Sequence, residues 1–309
     1  MIYHIYKGDP KYSSRINEQL SIDKGKVVES HSYFSFLFLH KLIKRSRHGD
    51  VFVFHQQRTL LSMLAFYLLS RKVLVVYDMH DLNEYKSRFS IKERMFFFLS
   101  YFLEWVLSFT KVEVITVSKG LSRVLYKRYG ISSSVFQSIP LSILSSKPKQ
   151  VDRNIKSCVY FGVINKERLP VELIEKITNL GLTIDLYGVF PCKEYESKLL
   201  SFSNVRYLGK YNNENVRGLI GSYLFSLIYI ENEYVNIRYC LPNKLFQSFS
   251  AGVPCFVSHN LREVSIRYGS MGVFNKIEKA SDSIVDFERL SKVCADNIEM
   301  YQKAIGIKG

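Results

Sequence analysis

Short apolar runs rich in β-branched and aromatic residues alternate with longer helix-like stretches through most of the chain. In the first half, Ile2–Tyr6, Val51–Phe54, Val73–Tyr77, Val112–Val117 and Val135–Ile139 have the length and composition of buried strands. Helical patterns at Ser35–Arg47, Leu60–Ser70, Ile91–Phe109 and Lys119–Tyr129 separate them. Gly130 stands where a C-cap glycine is expected. The segment Ser145–Asn154 (SSKPKQVDRN) is polar, contains Pro148 and lacks periodicity, so it reads as a linker. Beyond it the alternation restarts with strand Ser157–Phe161, helix Val171–Leu180, strand Thr183–Tyr187, helix Glu194–Leu200 and strand Val205–Leu208. Strand Leu224–Ile230, a helix from Pro242 to Ala251, strand Pro254–Val257 and a final helix over Ser283–Ala304 follow. Alternation on both sides of one linker predicts an α/β chain of two tandem, Rossmann-like parallel-sheet domains. The expected domains are 1–147 and 148–285, with a C-terminal helix over 286–309 packing back on the first. Ligands of such sheets gather at the carboxyl ends of the strands, so a substrate is expected in a cleft between the domains.

Composition adds a strong asymmetry of charge. The 309 residues hold 43 Lys plus Arg against 28 Asp plus Glu, a formal net charge of +15. Residues 1–150 account for 23 of the bases and 11 of the acids, a net +12, and residues 151–309 for only +3. A one-sided basic surface suits a polyanion, either a nucleic acid or an anionic lipid face. The five cysteines (Cys158, Cys192, Cys240, Cys255, Cys294) are scattered and none forms a C-x-x-C pair, which argues against a disulfide framework or zinc site. The opening MIYHIYKGDP lacks the apolar core of a signal peptide. Of the residues from Met95 to Leu107, 11 of 13 are apolar, yet this run falls short of the roughly 20 needed to span a bilayer. A cytoplasmic protein, peripheral to the inner face of the cell membrane, is expected. Being apolar nearly all round, Ile91–Phe109 is expected as a core helix in preference to an interfacial one.

The most informative stretch is Tyr239–Val257, YCLPNKLFQSFSAGVPCFV. Pro242 suits a helix start, Gly252 closes it and Pro254 leads into a strand. The N-terminus of a helix after a strand presents free N–H groups and a positive dipole end, which suit a diphosphate. Lys244 in that first turn opposes the dipole and supplies charge where phosphate would sit. Spacing alone leaves a plain surface helix equally open.

PNKLFQSFSAGVP resembles the donor-binding helix of GT-B glycosyltransferases, in particular the large, mostly retaining family that uses nucleotide sugars. VLVVYDMHDL (Val73–Leu82) resembles the family's strand ending in a His beside the donor sugar. VITVSKGLSRVLYKRYG (Val114–Gly130) resembles its last N-domain strand and helix, and VYFGVINKERLP (Val159–Pro170) the opening of its nucleotide domain. LTIDLYG (Leu182–Gly188) and NVRYLGKY (Asn204–Tyr211) match the next two strands, so the resemblance spans roughly residues 50–260.

The resemblance implies a role for each matching residue. Asn243 and Lys244 would hold the donor diphosphate, with Gly162 allowing close backbone approach. Arg168 is expected as the second diphosphate cation and Lys166 as its substitute; Val163 takes the place where many members carry a basic residue. Gln247 stands where the family has a ribose-binding Glu, and it can accept from one hydroxyl and donate to the other. Tyr239 stands where the partner Glu would be, so the paired-Glu motif is absent in its usual form. His80 would lie at the donor sugar, Asp81 next to it, and Asp78 would cap or orient its neighbours.

No cofactor and no essential metal are expected, because lysine, arginine and helix dipole can neutralise the leaving diphosphate. The implied reaction transfers a sugar from a nucleotide diphosphate, a UDP-sugar favoured, to a lipid-linked or oligosaccharide acceptor of a surface polysaccharide such as an O-antigen or capsule. Retention is favoured, with the leaving phosphate taking the acceptor's proton; an inverting enzyme would need Asp81 or Asp9 as base. The basic first domain, with Lys41, Lys44, Arg45 and Arg47 clustered, would face an anionic membrane. Nucleic acid is not expected as a partner, since no recognition motif accompanies the charge. A nucleotide-sugar epimerase of the same fold, a non-catalytic partner subunit and a nucleic-acid-binding basic α/β protein are the alternatives.

Overall fold

The computed structural model describes residues 1–7, 13–29, 35–70, 72–84, 90–145, 154–212 and 215–307. The chain divides into two compact units, Met1–Ser138 with Ala295–Gly309, and Ile139–Cys294. Most of the expected linker, residues 146–153, lies outside the described residues.

The first unit contains β1 (Ile2–Tyr6), α1 (Ser14–Asp23), β2 (Lys26–Glu29), α2 (Phe36–Arg45), β3 (Val51–His55) and α3 (Leu60–Leu69). Then come β4 (Leu74–Met79), α4 (Ile91–Leu107), β5 (Glu113–Thr116), α5 (Lys119–Tyr129) and β6 (Ser134–Val135). Its sheet runs β2-β1-β3-β4-β5-β6 with every neighbouring pair parallel. Strand alternation splits the core. Val51, Val53, Val76 and Ile115 pack on one face with Phe136 and with Tyr301, Ala304 and Ile305 from the C-terminal segment. Phe52 and Phe54 turn the other way and meet Phe66 of α3 at ring distances of 4.7 and 5.7 Å. From β2 onward the chain moves across the sheet in one direction, so right-handed crossovers lay α2 to α5 side by side over that second face.

The second unit starts with α6 (Ser142–Ser145), β7 (Asn154–Val163), α7 (Val171–Asn179), β8 (Thr183–Val189), α8 (Lys193–Leu200) and β9 (Val205–Tyr207). It continues with α9 (Val216–Ile220), β10 (Tyr223–Ile228), α10 (Val235–Tyr239), α11 (Asn243–Ser250), β11 (Cys255–Val257), α12 (Arg262–Tyr268) and β12 (Val273–Phe274). The last helix, α13 (Phe287–Ala304), begins in this unit and ends in the first. The parallel order is β12-β11-β10-β7-β8-β9. Here too one central strand feeds two cores, Cys158 and Tyr160 on one side and Val159 and Phe161 on the other.

The core expectation for Ile91–Phe109 is corrected by the structure. On α4 the buried residues are Ser100, Leu103, Glu104 and Leu107, one stripe at helical spacing. Met95, Phe98 and Phe102 are 68%, 64% and 54% exposed. Uniform apolarity was the misleading signal, because the neighbouring helices cover only one side of this one.

Candidate functional site

In the second unit the site is built where β7 ends and α11 begins. Leu245, Phe246 and Phe249 are fully buried and anchor α11, so Asn243, Lys244 and Gln247 fall on its outer side. Asn243 is exposed and the other two are half-buried, one turn apart. Pro242 is the N-cap, which leaves the first-turn N–H groups unclaimed by the helix's own carbonyls.

Lys244 turns back over β7. Its Nζ donates to the Tyr160 hydroxyl at 3.2 Å and lies 4.2 Å from that ring's centroid. The hydroxyl in turn donates to the Val163 carbonyl at 2.6 Å. Gly162 has φ +132°, and a Cβ there would run into the Lys244 ammonium. Gly188, its partner across β7 and β8, has φ +140°, and a Cβ there would strike the Gly162 carbonyl. Glycine is therefore required at both strand ends by close approach as well as by backbone angle.

Burial, reinforced by the nearby Arg168 guanidinium, pushes the Lys244 ammonium down to about 7. Burial also pushes the Tyr160 hydroxyl up to about 12. Arg168 is seated by the turn before α7, where its backbone N–H donates to Asn165 Oδ1 at 3.1 Å. Lys166, in the same turn, is exposed. Two cations thus share one tyrosine, and among the described residues neither is ion-paired. A dianion placed with them relieves their repulsion and restores the full charge on Lys244.

The first unit gathers a different set at the end of β4. Asp78 is fully buried and accepts from Arg15 Nε at 2.8 Å, Gln19 Nε2 at 2.9 Å and His55 Nδ1 at 3.0 Å. Burial alone would raise this carboxyl, but Arg15, His80 and the His55 bond outweigh it and hold the group well below the usual range. His55 Nε2 meets His4 Nδ1 at 3.0 Å, and His4 Nε2 meets Asp23 at 2.9 Å. Three hydrogen bonds between two ionised carboxylates need three N–H protons on two imidazoles. The histidine pair accordingly carries one positive charge. Burial pushes His55 down to about 4, which leaves that charge on His4.

His80 stands at the mouth of this array. Its Nε2 is 3.3 Å from Asp78 Oδ2, within ion-pair distance but without hydrogen-bond geometry. Asp81 is exposed, and its backbone carbonyl accepts from Gln57 at 3.3 Å. Asp9 lies outside the described residues. His55, Asp78 and His80 offer ligand atoms within 4.8 Å of one another, the spacing of a metal group. Arg15 already forks onto that carboxylate, however, and its charge opposes a second cation there.

Lys244, Arg168 and Gly162 are thus brought together, and Asn243 and Gln247 share the outer side of the same helix. Lys166 and Asp81 point to solvent. Tyr160, Arg15, Gln19, His4 and His55 escape a sequence reading. Each sits in an apolar or helical pattern whose spacing says nothing of its polar partners.

No family model and no curated protein matches the chain. Solved structures do. HepE from Anabaena, in complex with UDP, superposes with a TM-score of 0.67 at 13% identity, covering 99% of this chain and 93% of that one. AviGT4, a glycosyltransferase involved in avilamycin A biosynthesis, gives 0.61 at 11%, covering 98% and 96%. The trehalose 6-phosphate synthase of Burkholderia multivorans gives 0.61 at 8%, covering 99% and 93%. With two six-stranded parallel sheets and these likenesses over nearly the whole length, the chain has the GT-B fold.

Proposed function

We propose that this chain is a glycosyltransferase that moves a sugar from a nucleotide diphosphate, a UDP-sugar, to a lipid-linked or oligosaccharide acceptor in surface-polysaccharide synthesis. The observation that carries the reading is the Lys244 ammonium held beside Gly162, Tyr160 and Arg168 at the start of α11. A departing diphosphate gathers negative charge, and preorganised cations and N–H groups stabilise it without reorganisation. Arg168 is the second cation and Gln247 the ribose contact. Uridine is favoured because HepE has been seen with UDP and with UDP and glucose, and a phage T4 glucosyltransferase variant with UDP-glucose.

In the first unit His80 contacts the donor sugar, held by Asp78 behind it, and Asp81 lies next in line. The leaving phosphate takes the acceptor's proton, so configuration is retained and no metal is needed. The basic first half, net +12, draws the protein to the inner face of an anionic membrane, where lipid-linked acceptors reside.

UDP release from a panel of UDP-sugars, with a polyisoprenyl-diphosphate sugar as acceptor, tests this. Release by the native chain that falls at least about a hundredfold in His80→Ala is expected for a group acting at the reacting centre. Release unchanged in His80→Ala, or none with any donor, would count against it.

A further inference from the structure

On α4, Met95, Phe98, Leu99, Phe102 and Trp105 are all exposed, and Phe109 extends the strip beyond the helix. Their rings touch in sequence, Phe102 to Trp105 at 5.8 Å and Trp105 to Phe109 at 4.8 Å. Leu68 and Leu69 of the adjacent α3 are exposed as well. So large a contiguous apolar surface marks a contact with something apolar.

The flanks identify the occupant. α2 carries exposed Lys41, Lys44 and Arg45, and α5 carries exposed Lys119, Arg123, Lys127 and Arg128. α2, α3 and α5 contain no acidic residue. On α4, Glu93 is engaged in the capping box with Ser90, and Glu104 is buried. An aromatic strip between two purely basic helices complements an apolar interior beneath an anionic headgroup layer. A second copy of the chain would bring two sets of cations together with no acid to pair them. A nucleic acid would take the cations and leave the apolar strip in water.

We propose that the outer face of α4 inserts into the interface of an anionic bilayer, with the bases of α2 and α5 on lipid phosphates. This names the element that makes the membrane contact of the proposed function, and it stands independently of nucleotide binding.

Trp105 is the single tryptophan of the chain, so the intact native protein carries its own probe. Vesicles of phosphatidylcholine with one-quarter phosphatidylglycerol should shift its emission to the blue, and acyl-brominated lipids should quench it. Phosphatidylcholine alone should do so weakly. Phe98→Ser with Phe102→Ser should lower vesicle affinity at least about tenfold while leaving the thermal midpoint unchanged, since both side chains are exposed. Lys119→Glu with Arg123→Glu and Lys127→Glu should abolish the preference for anionic lipid. Emission unaltered by vesicles at low and high salt would overturn the proposal. So would a blue shift that grows with protein concentration in the absence of lipid, which would assign the face to a second copy. Because no nucleotide enters the assay, its failure leaves donor binding untouched, and failed donor binding leaves it readable.

Discussion

His55 and Glu104 are fully buried in the first unit and titrate in opposite senses over one pH range. Burial pushes His55 down to about 4 and Glu104 up to about 7. Between pH 6.5 and 4.5 the unfolded chain protonates the histidine and ionises the acid, while the folded chain does neither. Taken alone, His55 makes stability fall as pH drops from 6.5 towards 4, because the unfolded state binds the extra proton. Glu104 makes it rise as pH drops from 7 to 4.5. The two offset, so the native midpoint should be nearly flat there. Glu104→Gln, which keeps an acceptor for the Tyr129 hydroxyl now 3.0 Å from the carboxylate, removes one side of the balance. That variant should lose about 2–3 kcal/mol between pH 6.5 and 4.5; thermal midpoints across that range check it, and parallel curves would refute it. Single residues differ sharply in how far the chain alone declares them. Lys244 was legible because a lysine in a helix's first turn, after Pro and Asn, is locally odd. Arg15 and Asp78 were not, since 63 positions separate them and neither breaks its own pattern.

At the scale of elements, the helix that holds Lys244 was readable almost to its ends, bounded by Pro242 and Gly252. α5 was read with its exact limits, capped by Ser118 and by Gly130 at φ 71°. α1 and β2 went unread, because SRINEQLSID has a weak apolar stripe and KVVE is too short to show a period. α4 shows the opposite failure, a strong pattern with the wrong implication. Periodicity separates the buried from the exposed side only when the two sides differ in polarity, and on α4 both are apolar. Leu103→Ala, in the buried stripe, should cost about 2–4 kcal/mol of stability, whereas Phe102→Ala beside it should cost less than about 1. Denaturant midpoints separate the two; equal losses would mean that the outer face is packed in solution.

For the whole molecule, strand–helix alternation was enough to foresee two parallel sheets, but not their strand order, which depends on where each crossover lands. The return of the C-terminus to the first unit rests on contacts that no local pattern encodes. The Tyr301 hydroxyl donates to Asp23 at 2.7 Å, and its ring lies 4.7 Å from that of Phe136. Charge divides along the same line as fold. The basic first half carries the aromatic helix and the histidine array, and the nearly balanced second half carries the cations gathered at α11. The central claim is that a nucleotide diphosphate binds there. Thermal midpoints of the full chain with UDP, GDP, dTDP and CMP, for the native protein and Lys244→Ala, test it most directly. A ligand at a hundred times its Kd adds about 2.7 kcal/mol. The account predicts a rise with UDP that shrinks as pH climbs above 7, where Lys244 loses its proton, and that disappears in Lys244→Ala. An equal rise in the variant, or none with any nucleotide at millimolar concentration, would contradict it.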